Sequence, residues 1–248
     1  VPTAYRLLAT MTRHGYISRR EDGKFVPGPA IYRLAFEVDS RTLLRDTIAQ
    51  QVRDLRDETG ESVGFFVQHG FERYCVETAK SYHDLCRSFP LYARRSVQVG
   101  ASGKVFMAFS NTEELLHGFQ AADVAMTKGT LKALRDDIVL TRKNGYAFSD
   151  VLPETWGIAT PVYVDGALIG SLALTAPAER GGKKAIERIA GICVEQTKSV
   201  STRLTRAING HSSARDIQAV VKDAFVPLEG PGVANADNRN AAIFSTGK

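Results

Sequence analysis

Several groups of residues in this chain have types and spacings that invite a chemical reading. The run Gly100-Ala101-Ser102-Gly103-Lys104 brings small residues, a hydroxyl and an amine together. A phosphate-binding P-loop needs four residues between its glycines and a Ser or Thr after the Lys, whereas here two residues separate Gly100 from Gly103 and Val105 follows Lys104. A nucleophile elbow needs a residue between the Ser and the second Gly, and Gly103 follows Ser102 directly. Both enzyme readings fail on spacing. What remains is a Gly-rich turn into a short helix, whose free backbone N–H groups can hold an anion such as a carboxylate.

Cys75, His83 and Cys86 could be recruited as metal ligands, but the ten residues between the cysteines and the lone histidine match no compact zinc pattern, so no metal or other cofactor is expected. His14, His69 and His117 stand singly and read as structural residues. Trp156, the only Trp, sits beside Gly157 and serves equally as a flat wall for a ligand or as core filler. Arg19, Arg20 and Lys24 flank a polar turn. The net charge is +5, and residues 1–35 carry six basic residues against Glu21 and Asp22, so most of that excess sits in the first segment. Such a balance suits nucleic acid or another acidic partner.

The elements that must position these groups follow from periodicity. Thr3 caps a helix carrying Tyr5, Leu8 and Met11, which Gly15 ends. The short extended runs YIS and KFV around a Gly-containing turn predict a hairpin. Pro27-Gly28-Pro29 stops this unit, and residues 30–60 read as a connecting or dimerising helix pair with Leu43, Leu44, Ile48, Val52 and Leu55 at helical spacing. From Ser62 the period becomes strand-like, in SVGFFVQH and RYCVETA. A short helix over 104–109 and an amphipathic helix over 130–145 follow. The segments GIATPVYV and ALIGSLALTA around Asp165-Gly166 are the strongest hairpin signal. A helix over 183–208 then covers the sheet. Residues 209–248, rich in Gly and Asn towards their end, read as a flexible tail. The fold class is mixed α/β (α+β).

Three motifs, in order and at fitting separations, resemble the IclR family of bacterial transcriptional regulators: VPTAYRLLATMTRHGYI with FVPGPAIYRLA, then VGASGKVFMAF, then NGYAFSDVLPETWGIATPVYVDGALIGSLALTAP. The resemblance covers about residues 1–208. It implies a winged helix-turn-helix over 1–28, linker and dimerisation helices over 29–60, and a GAF-like effector-binding domain over 61–208. The helices that should precede the recognition helix are absent ahead of Val1-Pro2-Thr3, so the winged helix is expected to be partial. Pro2, Thr3, Tyr5 and Arg6 are placed to read base edges of an operator, and Arg19, Arg20 and Lys24 to contact its backbone or minor groove. Tyr5 serves equally as a core residue.

Carried over by resemblance, the effector pocket comprises Val99, Ala101, Ser102, Asp150, Trp156, Gly157, Ala173 and Thr175. Family members with acidic effectors often carry a Cys and serines where this chain has Gly157 and Ala173, so a less polar pocket for an aromatic or apolar-bodied organic acid is expected. The implied partners are a double-stranded operator, a small organic acid and further copies of the chain in a dimer or tetramer. Three scattered cysteines, with no apolar run long enough to span a membrane, place the expected home in the cytoplasm. The alternatives are a small-molecule sensor acting through a protein partner and, less favoured, an enzyme acting on the acid.

Overall fold

The computed structural model describes residues 2–20, 22–121, 128–150 and 154–208; the expected tail, 209–248, lies outside them. Helix α1 (Pro2–Arg13) begins on a proline, which has no N–H to leave unpaired there, and the chain leaves it through Gly15 at φ 73°. Strands β1 (Ile17–Arg19) and β2 (Phe25–Pro27) pair antiparallel, Arg19 opposite Phe25. The hairpin tip is closed by the Arg20 N–H donating to the Lys24 carbonyl at 2.9 Å. Gly28 then passes so close to the turn that leaves α1 that a Cβ there would lie 2.2 Å from the Gly15 carbonyl oxygen. No other residue fits that crossing.

Helix α2 (Pro29–Thr59) corrects the expected helix pair: it is one continuous helix of 31 residues. No Gly or Pro occurs between Ala30 and Thr59, so nothing breaks the ladder until Gly60, at φ 76°, ends it.

Next come β3 (Ser62–His69), β4 (Glu72–Ala79), β5 (Arg94–Ser96), α3 (Gly100–Phe109), α4 (Thr112–Ala121), α5 (Lys128–Asn144), β6 (Ala147–Ser149), β7 (Thr155–Val164), β8 (Ala167–Pro177), a 3-10 turn (Ala178–Arg180) and α6 (Lys183–Ile208). The strands form one antiparallel sheet in the order β5-β4-β3-β8-β7-β6. Asp165 and Gly166 both have positive φ, the geometry of the tight hairpin turn expected for that dipeptide.

Strand alternation sorts the side chains into two cores. On one face Val63, Phe65, Trp156, Ile158, Leu172 and Leu174 pack with Leu44, Ile48, Val52 and Leu55 of α2 and with Cys193, Val200 and Leu204 of α6. On the other face Phe66, Cys75, Ala159 and Ala173 pack with Val105, Phe106 and Met107 of α3 and with Leu115, Leu116 and Ile138 of α4 and α5. The result is an α/β sandwich of helices, sheet and helices. Helix α6 docks through hydroxyls as well: Thr160 and Thr197 are hydrogen-bonded at 2.6 Å, and Ser201 Oγ and Thr205 Oγ1 accept from the Tyr163 and Asp165 N–H groups.

Candidate effector-binding site

The Gly-rich run is the first turn of α3. Val99 is its N-cap and Gly100 enters it at φ 75°. A Cβ on Gly103 would lie 2.3 Å from the Val97 carbonyl oxygen, so the helix presses on its own lead-in loop only because that residue is glycine. Lys104 turns away and pairs with Asp137 of α5 at 2.8 Å, which takes its amine out of any phosphate-binding role. The turn supplies N–H groups and one hydroxyl, that of Ser102.

The structure brings most of the expected pocket residues together on the sheet face under α3. Ala101 lies 3.9 Å from where a Gly157 Cβ would be. Ala173 is directly paired with Ala159 and with Gly64, and Thr175 with Gly157 and Ser62, so their side chains share that face. Thr175 Oγ1 donates to the Trp156 carbonyl at 3.3 Å. Asp150 is exposed just past β6.

Trp156 does not join them. It is 4% exposed but belongs to the opposite core, its ring where a Gly181 Cβ would meet it at 2.6 Å. Neighbouring residues on a strand point to opposite faces, so Trp156 and Gly157 cannot line one pocket while β7 stays extended.

Residue-type reasoning missed Arg73. Its side chain is buried in the same space, with Nε donating to Ser102 Oγ at 2.7 Å, Nη1 donating to the Ser96 carbonyl, and the guanidinium 5.8 Å from the Phe66 ring centre. Among the described residues it has no carboxylate partner. Burial, and then the neighbouring Arg95, push its pKa down to about 9. The signal in the sequence was an arginine two residues before Cys75, on the buried side of β4.

Phe66 and Phe89, edge to face with centroids 5.1 Å apart, and Ser171 also escaped notice. Cys75 is a buried thiol donating to the Glu77 carbonyl at 3.4 Å, and among the described residues no three His, Cys, Asp or Glu side chains gather as a metal site. An open groove of about 430 Å³ lies elsewhere, between Tyr146 and one flank of α6 at Ala190, Val194 and Lys198. It carries none of the residues above.

In the first segment, Thr3, Tyr5 and Arg6 are exposed on α1, Tyr5 at 71%. The side chain of Pro2 lies outside the described residues. Arg19, Arg20 and Lys24 are exposed on the hairpin, with Arg19 Nε on the Gly23 carbonyl at 3.2 Å.

Residues 36–202 match the family model described as the C-terminal domain of the bacterial transcriptional regulator IclR. The chain belongs to the IclR family. It is 30% identical over 158 residues to the transcriptional repressor IclR of Escherichia coli and 28% identical over 157 residues to the acetate operon repressor of Salmonella typhimurium. Each match covers 60% of this chain and 57% of the relative, so the chain matches little more than half of those proteins. The fold matches an IclR-family regulator from Silicibacter, with a TM-score of 0.61 and 23% identity over 82% of this chain and 83% of that one. It also matches the Thermotoga maritima IclR, with a TM-score of 0.59 and 21% identity over 82% and 85%. The matched relatives are transcriptional repressors, and the matched family model describes a domain of a transcriptional regulator.

Proposed function

We propose that this chain is a ligand-responsive, operator-binding regulator, with a small organic acid held between the first turn of α3 and the facing sheet. The observation that supports this reading is the cluster of Val99, Ala101, Ser102, Gly157, Ala173 and Thr175 around a helix N-terminus. Free N–H groups and the positive end of the helix dipole favour a carboxylate there. The side chains at 101, 157 and 173 are small and apolar, and Phe66 with Phe89 makes an aromatic acid a good fit.

Helix α2 is the transmitting element of this proposal. Its second half is part of the sensor core, and Gln51, fully buried, donates to Gln196 at 2.9 Å and accepts from Arg203 at 2.6 Å on α6. Its first half runs back to the basic hairpin, where Arg19, Arg20 and Lys24 are placed for a DNA backbone. An acid that binds two arrangements of this helix with different affinity shifts their populations and so changes operator affinity.

The test is fluorescence anisotropy of the full-length protein on a duplex carrying the promoter region beside its own gene. Preference for that duplex over a shuffled one, altered by benzoate or another small carboxylate, is expected. Equal binding to both duplexes, with and without acid, overturns the proposal.

A further inference from the structure

We propose that Arg73 is the anchor of this site, taking the carboxylate of the acid as a buried ion pair at the head of α3. The inference rests on the effector-site reading above and adds the residue that would select for negative charge. Arg73 is only 6% exposed. Its guanidinium lies along the first turn of the helix: Cβ atoms built on Gly100 and Gly103 would come within 3.4 Å of Nη2 and 3.3 Å of Nη1. A cation at a helix N-terminus is opposed by the dipole, and the charge that acts on it most, Arg95, has the same sign.

The hydrogen bonds of Arg73 do not account for its charge. Ser102 and the Ser96 carbonyl accept hydrogen bonds that a neutral donor could supply as well. The Phe66 ring offsets only part of the desolvation of a guanidinium. An anion would satisfy both the side chain and the helix end at once.

Among the described residues two further groups near this point are buried without a partner. Ser171 Oγ sits on β8 directly opposite Phe66, the residue whose ring lies beneath the guanidinium, and Gln98 Nε2 sits in the loop that leads into α3. Unmet buried polar atoms are uncommon in a settled core, and a ligand with polar atoms at one end and an apolar body beside Phe66 and Phe89 would meet them. The fit is to a small monocarboxylate.

The test is calorimetric titration of the full-length protein with benzoate and butyrate, and with the uncharged benzamide and butyramide. At least one acid is expected to bind and its amide to bind at least about tenfold more weakly, as a charge-assisted pair requires. Arg73→Met and Arg73→Gln, the latter keeping donors for Ser96 and Ser102, should each lose at least about tenfold in acid affinity while the acid-free melting temperature holds or rises. Either variant that stays folded and binds acid within twofold of wild type overturns the anchor.

Ala173→Val separates the two ideas. If it weakens acid binding while Arg73→Gln does not, the pocket stands and Arg73 is only a tie between β4, its neighbouring loop and α3. If the wild-type protein binds no acid of the panel, the pocket and the anchor fall together.

Discussion

Among the described residues one long-range ion pair, Glu61–Arg180, ties the end of α2 to the turn before α6, and its two halves are unequally buried, which predicts an asymmetry on mutation. Arg180 donates from Nε to Glu61 Oε1 at 2.5 Å and from Nη2 to Oε2 at 2.7 Å, a bidentate clasp between the residue after Gly60 and the turn before α6. The Glu61 side chain is 5% exposed and that of Arg180 30%, with its Nη atoms also on the Leu85 carbonyl at 3.1 Å. Arg180→Met strands a carboxylate in the interior, which costs about 3–5 kcal/mol. Glu61→Gln leaves a guanidinium that still reaches water and Leu85, so its cost is about 1–2 kcal/mol. At a urea dependence of roughly 2 kcal/mol per molar, the midpoints should fall by about 2 M for Arg180→Met and by less than about 1 M for Glu61→Gln. Equilibrium urea unfolding followed by circular dichroism reads both. Equal losses, or a larger loss for Glu61→Gln, would refute the argument from burial.

Three further outcomes follow from the same geometry. Replacing Arg19, Arg20 and Lys24 by Ala should flatten the salt dependence of operator binding by up to about 0.9 for each phosphate that is no longer neutralised, read from the slope of log affinity against log salt. Phe106→Ala, in the core between α3 and the sheet, should cost about 3–5 kcal/mol in the same unfolding assay. Burial pushes the Cys75 and Cys193 thiols up to about 12. The unfolded chain releases those protons near its ordinary thiol value of about 8.5, so their stability contribution is complete below that pH and is lost as pH rises towards 12. Arg73, with its pKa lowered to about 9, acts in the opposite sense above that pH, one guanidinium against two thiols. The urea midpoint should therefore fall as pH rises from about 8 to about 10.5, and fall less in a Cys75→Ala, Cys193→Ala variant.

Much of this architecture is legible in the sequence because its signals are local. The Asp165-Gly166 turn, the apolar stripe of α6 and the glycines that end α1, α2 and α5 each mark a boundary without help from distant residues. Elements of three residues, β5 and β6, have no periodicity of their own and exist only because a neighbouring strand offers hydrogen bonds. Helix α4 has a local signal too, in the polar run before it: Asn111 accepts from the Glu114 N–H at 3.4 Å, with Glu113 and Glu114 in the first turn.

The site divides along the same line. Gly-rich turns and small residues announce the pocket, but which face a side chain takes is set by strand alternation. That is why Trp156 belongs to the other core and why Arg73, unremarkable among the exposed arginines in composition, is buried beside Ser102. Its partners come from β5 and α3, 23 and 29 residues away, a pairing that only the folded sheet reveals.

A regulator of this kind stands or falls on the link between acid and operator. Linkage requires that an acid which changes operator affinity by some factor must itself bind with affinity changed by the same factor on DNA, a factor of about 5–150 in typical regulators. Calorimetric titration of benzoate into the full-length protein, alone and saturated with its promoter duplex, measures this. Two different acid affinities whose ratio equals the change in DNA affinity are predicted, and identical acid affinities on and off the duplex would contradict the proposed coupling.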